Sequence, residues 1–267
     1  MKKFLPLILL AIAILVGVGV FLMKKSDGNN EDPDLMEAPP VVSKINALAL
    51  AKRPYVELIP HKNPARCNGV DMNITNLKNG EEKVEYELEY TTEKMIQGVF
   101  GRREFSNQEE HAPLEFGTCS RGTCRCDDDI TGGSLKLSFT GEEEYVLKGD
   151  FSVHKVGNSS VATSRDARLK LEVGSALSQE MDVLITSTFG LPAELAQKVL
   201  LGPYGVFVQG SPDLKEPIKA TLQSSDVVNG QVQFWDGEKW NILETEIIED
   251  RAEFELDQLG VIVLTEK

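Results

Sequence analysis

The sequence predicts a mainly β protein: two antiparallel β-sandwich domains behind one N-terminal transmembrane helix. Three observations predict it. The chain opens on an uncharged run of 20 residues, Phe4 to Met23. From Pro54 onward, apolar and polar residues alternate with period two. Glycine-containing turn dipeptides separate these segments, as they separate the short strands of sandwiches.

The opening run reads FLPLILLAIAILVGVGVFLM. As a helix it spans about 30 Å, the thickness of a bilayer's hydrocarbon core. Lys2 and Lys3 precede it, Lys24 and Lys25 follow it, and Pro6 falls in the first turn, where its missing N–H costs least. A cleaved signal peptide is the competing reading. Its apolar region is about 7–15 residues long and ends in small residues, whereas this run is longer and ends Phe21-Leu22-Met23. Residues 1–25 are therefore read as an uncleaved signal-anchor, with the lipid bilayer as partner through residues 4–23. Lysines flank both ends equally, so the positive-inside count barely discriminates. The α-amino group and the cysteines place the N-terminus in the cytoplasm and the C-terminal domains outside it.

Residues 26–53 read as an acidic, flexible stalk, in which Ile45 to Lys52 (INALALAK) makes a short helical turn or continues the stalk. SDGNNEDPDLMEAPPVV has little to bury and extends by its own negative charge. The chain holds 42 acidic and 28 basic residues, a net charge of −14. Residues 1–25 contribute four lysines and no acid, so the remainder is more acidic still. That balance excludes a nucleic-acid partner, which needs a basic footprint.

The folded part is expected to begin near Pro54. In KVEYELEYTT, Val84, Tyr86, Leu88 and Tyr90 share one face, while Lys83, Glu85, Glu87 and Glu89 share the other. Further strands place together Leu135, Leu137 and Phe139; Tyr145, Leu147, Phe151 and Val153; Ala167, Leu169, Leu171 and Val173; and Ala252, Phe254 and Leu256. GVIVLT closes the chain as a paired strand. Turns are expected at Asn79-Gly80, Gly132-Gly133, Gly157-Asn158, Asn229-Gly230 and Asp236-Gly237. Pro192 to Leu201 (PAELAQKVLL) breaks the pattern, with Leu195, Val199 and Leu200 at helical spacing, and predicts a short helix. The length suits two sandwiches, at 54–160 and 161–267, divided near the polar stretch GNSSVATS.

Four cysteines, Cys67, Cys119, Cys124 and Cys126, read as two disulfides outside the cytosol. Joining Cys124 to Cys126 closes a strained ring. Of the two other connectivities, Cys119–Cys124 with Cys67–Cys126 is preferred over Cys67–Cys124 with Cys119–Cys126. The spacing C-x4-C-x-C is a poor match to a four-thiolate zinc site.

Three features qualify as candidate sites. Asp127, Asp128 and Asp129 form an oxygen-rich turn that could hold Ca²⁺, although Ser138 stands where an EF-hand needs its glutamate. A solvated acidic turn is the competing reading, and Glu142 to Glu144 reads as a charged hairpin tip. Trp235 and Trp240 flank Asp236-Gly237 and could stack on a glycan; a packed cross-strand pair is the competing reading. The histidines are His61, His111 and His154, and none sits in a metalloprotease or nucleophile-elbow motif. No catalytic residue is assigned. Asn73-Ile74-Thr75 and Asn158-Ser159-Ser160 are glycosylation sequons, relevant only in a eukaryotic secretory route.

Several segments carry a resemblance: RPYVELIP (53–60), VEYELEYTT with QGVFG (84–101), GTCSRGTC (117–124), ITGGSLKLSF (130–139) and STFGLP with GPYGVF (187–207). Together they resemble uncharacterised single-anchor envelope proteins of candidate-phylum bacteria. Within that pattern Cys119 and Cys124 match, and Cys67 and Cys126 are additional. PDLKEPIKATL (212–222), FWDGEKWNILET (234–245) and GVIVLT (260–265) are similar to the ends of ZU5-type or immunoglobulin-like surface domains. The resemblance implies a fold class and an envelope location and no catalytic residue. The function expected is a binding or structural role at the cell envelope, with an envelope protein or glycan as partner. An envelope-polymer hydrolase and a Ca²⁺-dependent ligand-binding module are the alternatives.

Overall fold

Alternating sequence becomes strand in the computed structural model, which describes residues 44–267 except 64, 107–108 and 211. The predicted anchor and the stalk up to residue 43 lie outside the described residues. Among the described residues, no helix is long and apolar enough to cross a membrane.

The first part of the chain forms β1 (Tyr55–His61), β2 (Gly69–Thr75), β3 (Glu81–Thr91), β4 (Ile96–Glu104) and β5 (Glu110–Glu115). A short hairpin follows, β6 (Gly117–Ser120) and β7 (Thr123–Cys126), then β8 (Gly132–Gly141) and β9 (Tyr145–Lys155). The second part holds β10 (Val161–Thr163), β11 (Leu169–Glu172), β12 (Asp182–Ser187), β13 (Val199–Phe207) and β14 (Ile218–Gln223). It ends with β15 (Gly230–Trp235), β16 (Trp240–Ile242), β17 (Glu246–Ile248), β18 (Arg251–Leu256) and β19 (Val261–Glu266).

One sheet of nine strands joins both parts in the order β16-β15-β19-β13-β12-β9-β8-β3-β4. A three-stranded sheet, β1-β2-β5, and a five-stranded sheet, β10-β11-β14-β18-β17, accompany it. Two cores result. Val84, Leu88, Leu137 and Phe151 meet Leu58, Met72 and Leu114 in the first. Val206, Val232 and Ile262 meet Leu171, Leu222 and Phe254 in the second.

Strand β12 shows how the cores are arranged. Leu184 joins the first core, whereas Val183 and Ile185 join the second. Successive side chains of a strand point to opposite faces. The small sheets therefore cover opposite faces of the long sheet, one toward each end. At β12 both faces are covered, which is why Val183, Leu184, Ile185 and Thr186 are all buried in succession.

Four expectations need correction. Pro192 to Leu201 is not a helix. Residues 191–198 run without regular structure, and β13 begins at Val199, paired with Thr265. Trp240 Nε1 donates to the Ala193 carbonyl, Gln233 Nε2 to Gln197 Oε1 and the Glu266 amide to the Lys198 carbonyl. The segment thus lies over the back of β15, β16 and β19, and tertiary packing overrides helical spacing. Gly132-Gly133 is not a turn but the start of β8. A Cβ on Gly133 would lie 1.9 Å from the Glu89 carbonyl oxygen, so glycine serves close backbone approach. Ala167 is exposed in a turn with φ of 60°, and β11 starts only at Leu169. Finally, the folded unit starts before Pro54. Ile45 bridges Val146 and the Asn46 side chain bonds the backbone of Lys148, while the short helical turn offered for Ile45 to Lys52 is present as a 3₁₀ turn at Leu50–Lys52.

Candidate functional site

A cleft of about 550 Å³ opens beside the seam between the two cores. Its size falls in the range of small-ligand sites. Val153 and Leu184 from the long sheet, Val70 from β2 and Phe116 supply apolar surface. Both parts of the chain contribute, because β9 and β12 are neighbours there, with Leu184 opposite Val153 and Asp182 opposite Lys155.

Five carboxylates line it, Glu93, Asp127, Asp128, Asp129 and Asp182, against the two lysines Lys62 and Lys155. Lys62 is already engaged, donating to the Glu180 carbonyl at 2.6 Å. Asp182 stands out electrostatically. Burial raises its pKa above the ordinary carboxylate range, outweighing the nearby Lys62 and Lys155 charges. A partly buried carboxylate in a recess is a candidate partner for an ammonium.

The predicted aspartate turn is brought to the cleft, but its carboxylates do not converge. Asp127 accepts a 2.6 Å hydrogen bond from Tyr90 Oη, and its amide donates to the Phe116 carbonyl. Its first duty is to close the entrance to β8. Burial and this bond push the Tyr90 phenol up. Among the described residues, the one group of three or more His, Cys, Asp or Glu ligand atoms within 4.8 Å of one another is Cys67, Cys119 and Cys124.

Those cysteines are disulfide-bonded. Cys119 pairs with Cys124 across the β6–β7 hairpin, and Cys67 pairs with Cys126 over a separation of 59 residues. Together they staple the wall that carries Asp127 to Asp129.

Trp235 and Trp240 lie far along the sheet from the cleft, near its β16 edge. They form a half-buried cross-strand pair, ring centroids 5.6 Å apart and tilted by 59°. Trp240 is also tied to the covering segment through Ala193. The pair presents no coplanar platform to a sugar.

Two histidines line the cleft, which motif spacing could not show because they arrive on β1 and β9. His154 Nε2 lies 2.8 Å from the Thr163 carbonyl oxygen and 3.1 Å from its amide nitrogen, so β10 occupies that nitrogen. His61 Nδ1 is buried and lacks a hydrogen-bond partner. Neither ring is bonded to a serine or threonine hydroxyl among the described residues. No protein-family model, curated protein or solved structure matches the chain.

Proposed function

We propose that the chain is a membrane-anchored, extracytoplasmic β-sandwich protein that works by binding, with the seam cleft as its ligand site. The observation that carries this reading is the cleft's own chemistry: an apolar floor and five carboxylates, the partly buried Asp182 among them. That lining favours an amine-bearing ligand, such as the lysine of a peptide or the free amine of an amino sugar. Two immunoglobulin-like sandwiches fused through one sheet are the scaffold. The uncharged run 4–23 holds it at the bilayer, and the acidic residues after it lift it away. The two disulfides and the run 4–23 support the outward placement.

The test uses the full chain in detergent. A lysine tripeptide and a glucosamine trimer are added, and the unfolding temperature is followed. A ligand that binds only the folded state raises it with concentration. A rise with one probe supports the reading; no rise with either at millimolar concentration removes it. Ca²⁺ and chelator serve as a third arm, because Asp127 to Asp129 share the cleft.

A further inference from the structure

The outer face of the three-stranded sheet carries a chain of polar contacts that neither the cleft nor the cores require. Tyr55 Oη donates to Glu57 Oε1 at 2.8 Å. Asn73 Nδ2 donates to Glu57 Oε2 at 3.3 Å, which turns its carbonyl oxygen the other way. That oxygen, Oδ1, lies 2.6 Å from His111 Nδ1. An amide oxygen can only accept, so Nδ1 carries the proton and the neutral ring presents a lone pair at Nε2. Nε2 lies 3.8 Å from Asp71 Oδ1. A lone pair beside a carboxylate oxygen is repulsive, and either a proton or a metal ion on Nε2 relieves it.

The same oxygen, Asp71 Oδ1, lies 3.2 Å from His61 Nδ1. The geometry is not that of a hydrogen bond, and His61 Nδ1 is a buried polar atom without a partner. Such an atom calls for an explanation, and an ion is one. The spacing fits. Ligands at 2.0–2.1 Å around a tetrahedral zinc stand about 3.3 Å apart. The His61 ring is mostly buried, whereas the His111 side chain is 62% exposed and held at Nδ1 by Asn73. The imidazoles are not within ligand distance of each other, so the set closes through a small shift of His111 Nε2 toward His61 with Nδ1 kept on Asn73.

We propose that His61, Asp71 and His111 form a divalent transition-metal site of two imidazoles and one carboxylate. Neutral imidazole with carboxylate is a ligand set for Zn²⁺ and its neighbours rather than for Ca²⁺. Glu57 and Asn73 are positioning residues: they fix the His111 tautomer from behind, as partners of metal-bound histidines do. Three protein ligands leave a coordination position open to solvent. The site is independent of the amine-binding reading of the cleft, although His61 borders both.

The experiment titrates the full chain in detergent with Zn²⁺ by calorimetry and with Co²⁺ by visible absorption. The disulfides stay intact, so cysteine does not compete. The expected result is one equivalent bound, with Co²⁺ bands of nitrogen and oxygen ligation. His111→Ala, at an exposed position, abolishes binding. Asn73→Ala weakens it about 10- to 100-fold. Failure of the wild type to bind Zn²⁺ at about 100 μM, or binding unchanged in either His111→Ala or Asp71→Asn, overturns the proposal; structural zinc sites bind far more tightly than that. The amine-probe measurements on the cleft are unaffected by either outcome.

Discussion

Single side chains set the pH behaviour of this protein. Glu81 is buried. Burial alone would raise its pKa, yet hydrogen bonds from Tyr145 Oη, the Asn79 amide and Asn79 Nδ2 hold it below the usual carboxylate range. Asp166 repeats the pattern: burial opposes, while Ser164 Oγ, Tyr204 Oη and the Arg168 amide prevail. A depressed folded pKa contributes stability that is present above the unfolded pKa and lost as pH falls through the folded one. Chemical denaturation should therefore show stability falling below about pH 4, and Glu81→Gln should flatten that fall. Asp182 has the opposite sign. Its raised pKa makes the ionised form a liability of the fold, so stability declines as pH rises through its titration. Asp182→Asn should leave stability at neutral pH unchanged or higher while weakening the cleft's hold on an amine. At Gly133 a new Cβ meets the backbone of β3 at Glu89 and Tyr90. Gly133→Ala should lower stability sharply in the same denaturation series.

Elements divide into those the sequence made legible and those it did not. The alternation of β3, β8, β9 and β18 could be read directly, because one face of each meets a core and the other meets solvent or a polar neighbour. The disulfide pairing was also legible, since hairpin spacing brings Cys119 opposite Cys124. Chain-entropy arithmetic assigns about 4 kcal/mol to the Cys67–Cys126 loop and about 2 kcal/mol to the hairpin. Paired Cys→Ala substitutions should reproduce that order in equilibrium denaturation. The segment 191–198 was not legible, because its partners are distant strands rather than its own turns. Trp240→Phe should loosen it at Ala193, raising hydrogen exchange over residues 193–198 before it affects the rest. The candidate site was half legible. Asp127 to Asp129 announced themselves by composition, but Asp182 and His61 reach the cleft only through β12 and β1. No local signal marked them.

At the scale of the whole molecule, one sheet serves two cores from opposite faces. That arrangement explains why the chain reads as two sandwiches and yet Ser43–Lys267 forms one compact unit. Leu184 and Ile185 face different cores across one strand, so truncating either should lower stability of the whole unit by about 2–5 kcal/mol in a single transition. The acidic balance also acquires a place. Part of it is solvent-facing, as at Glu85, Glu87 and Glu89 on β3 and Glu142 to Glu144 at a hairpin tip. Part of it lines the seam cleft, where the proposed amine ligand would meet it. Isothermal titration of the full chain with the lysine tripeptide and the glucosamine trimer, wild type beside Asp182→Asn, tests this most directly. The account predicts saturable one-to-one binding of one probe, weakened about tenfold or more in the variant. Absence of saturable binding, or equal binding by both proteins, would contradict it.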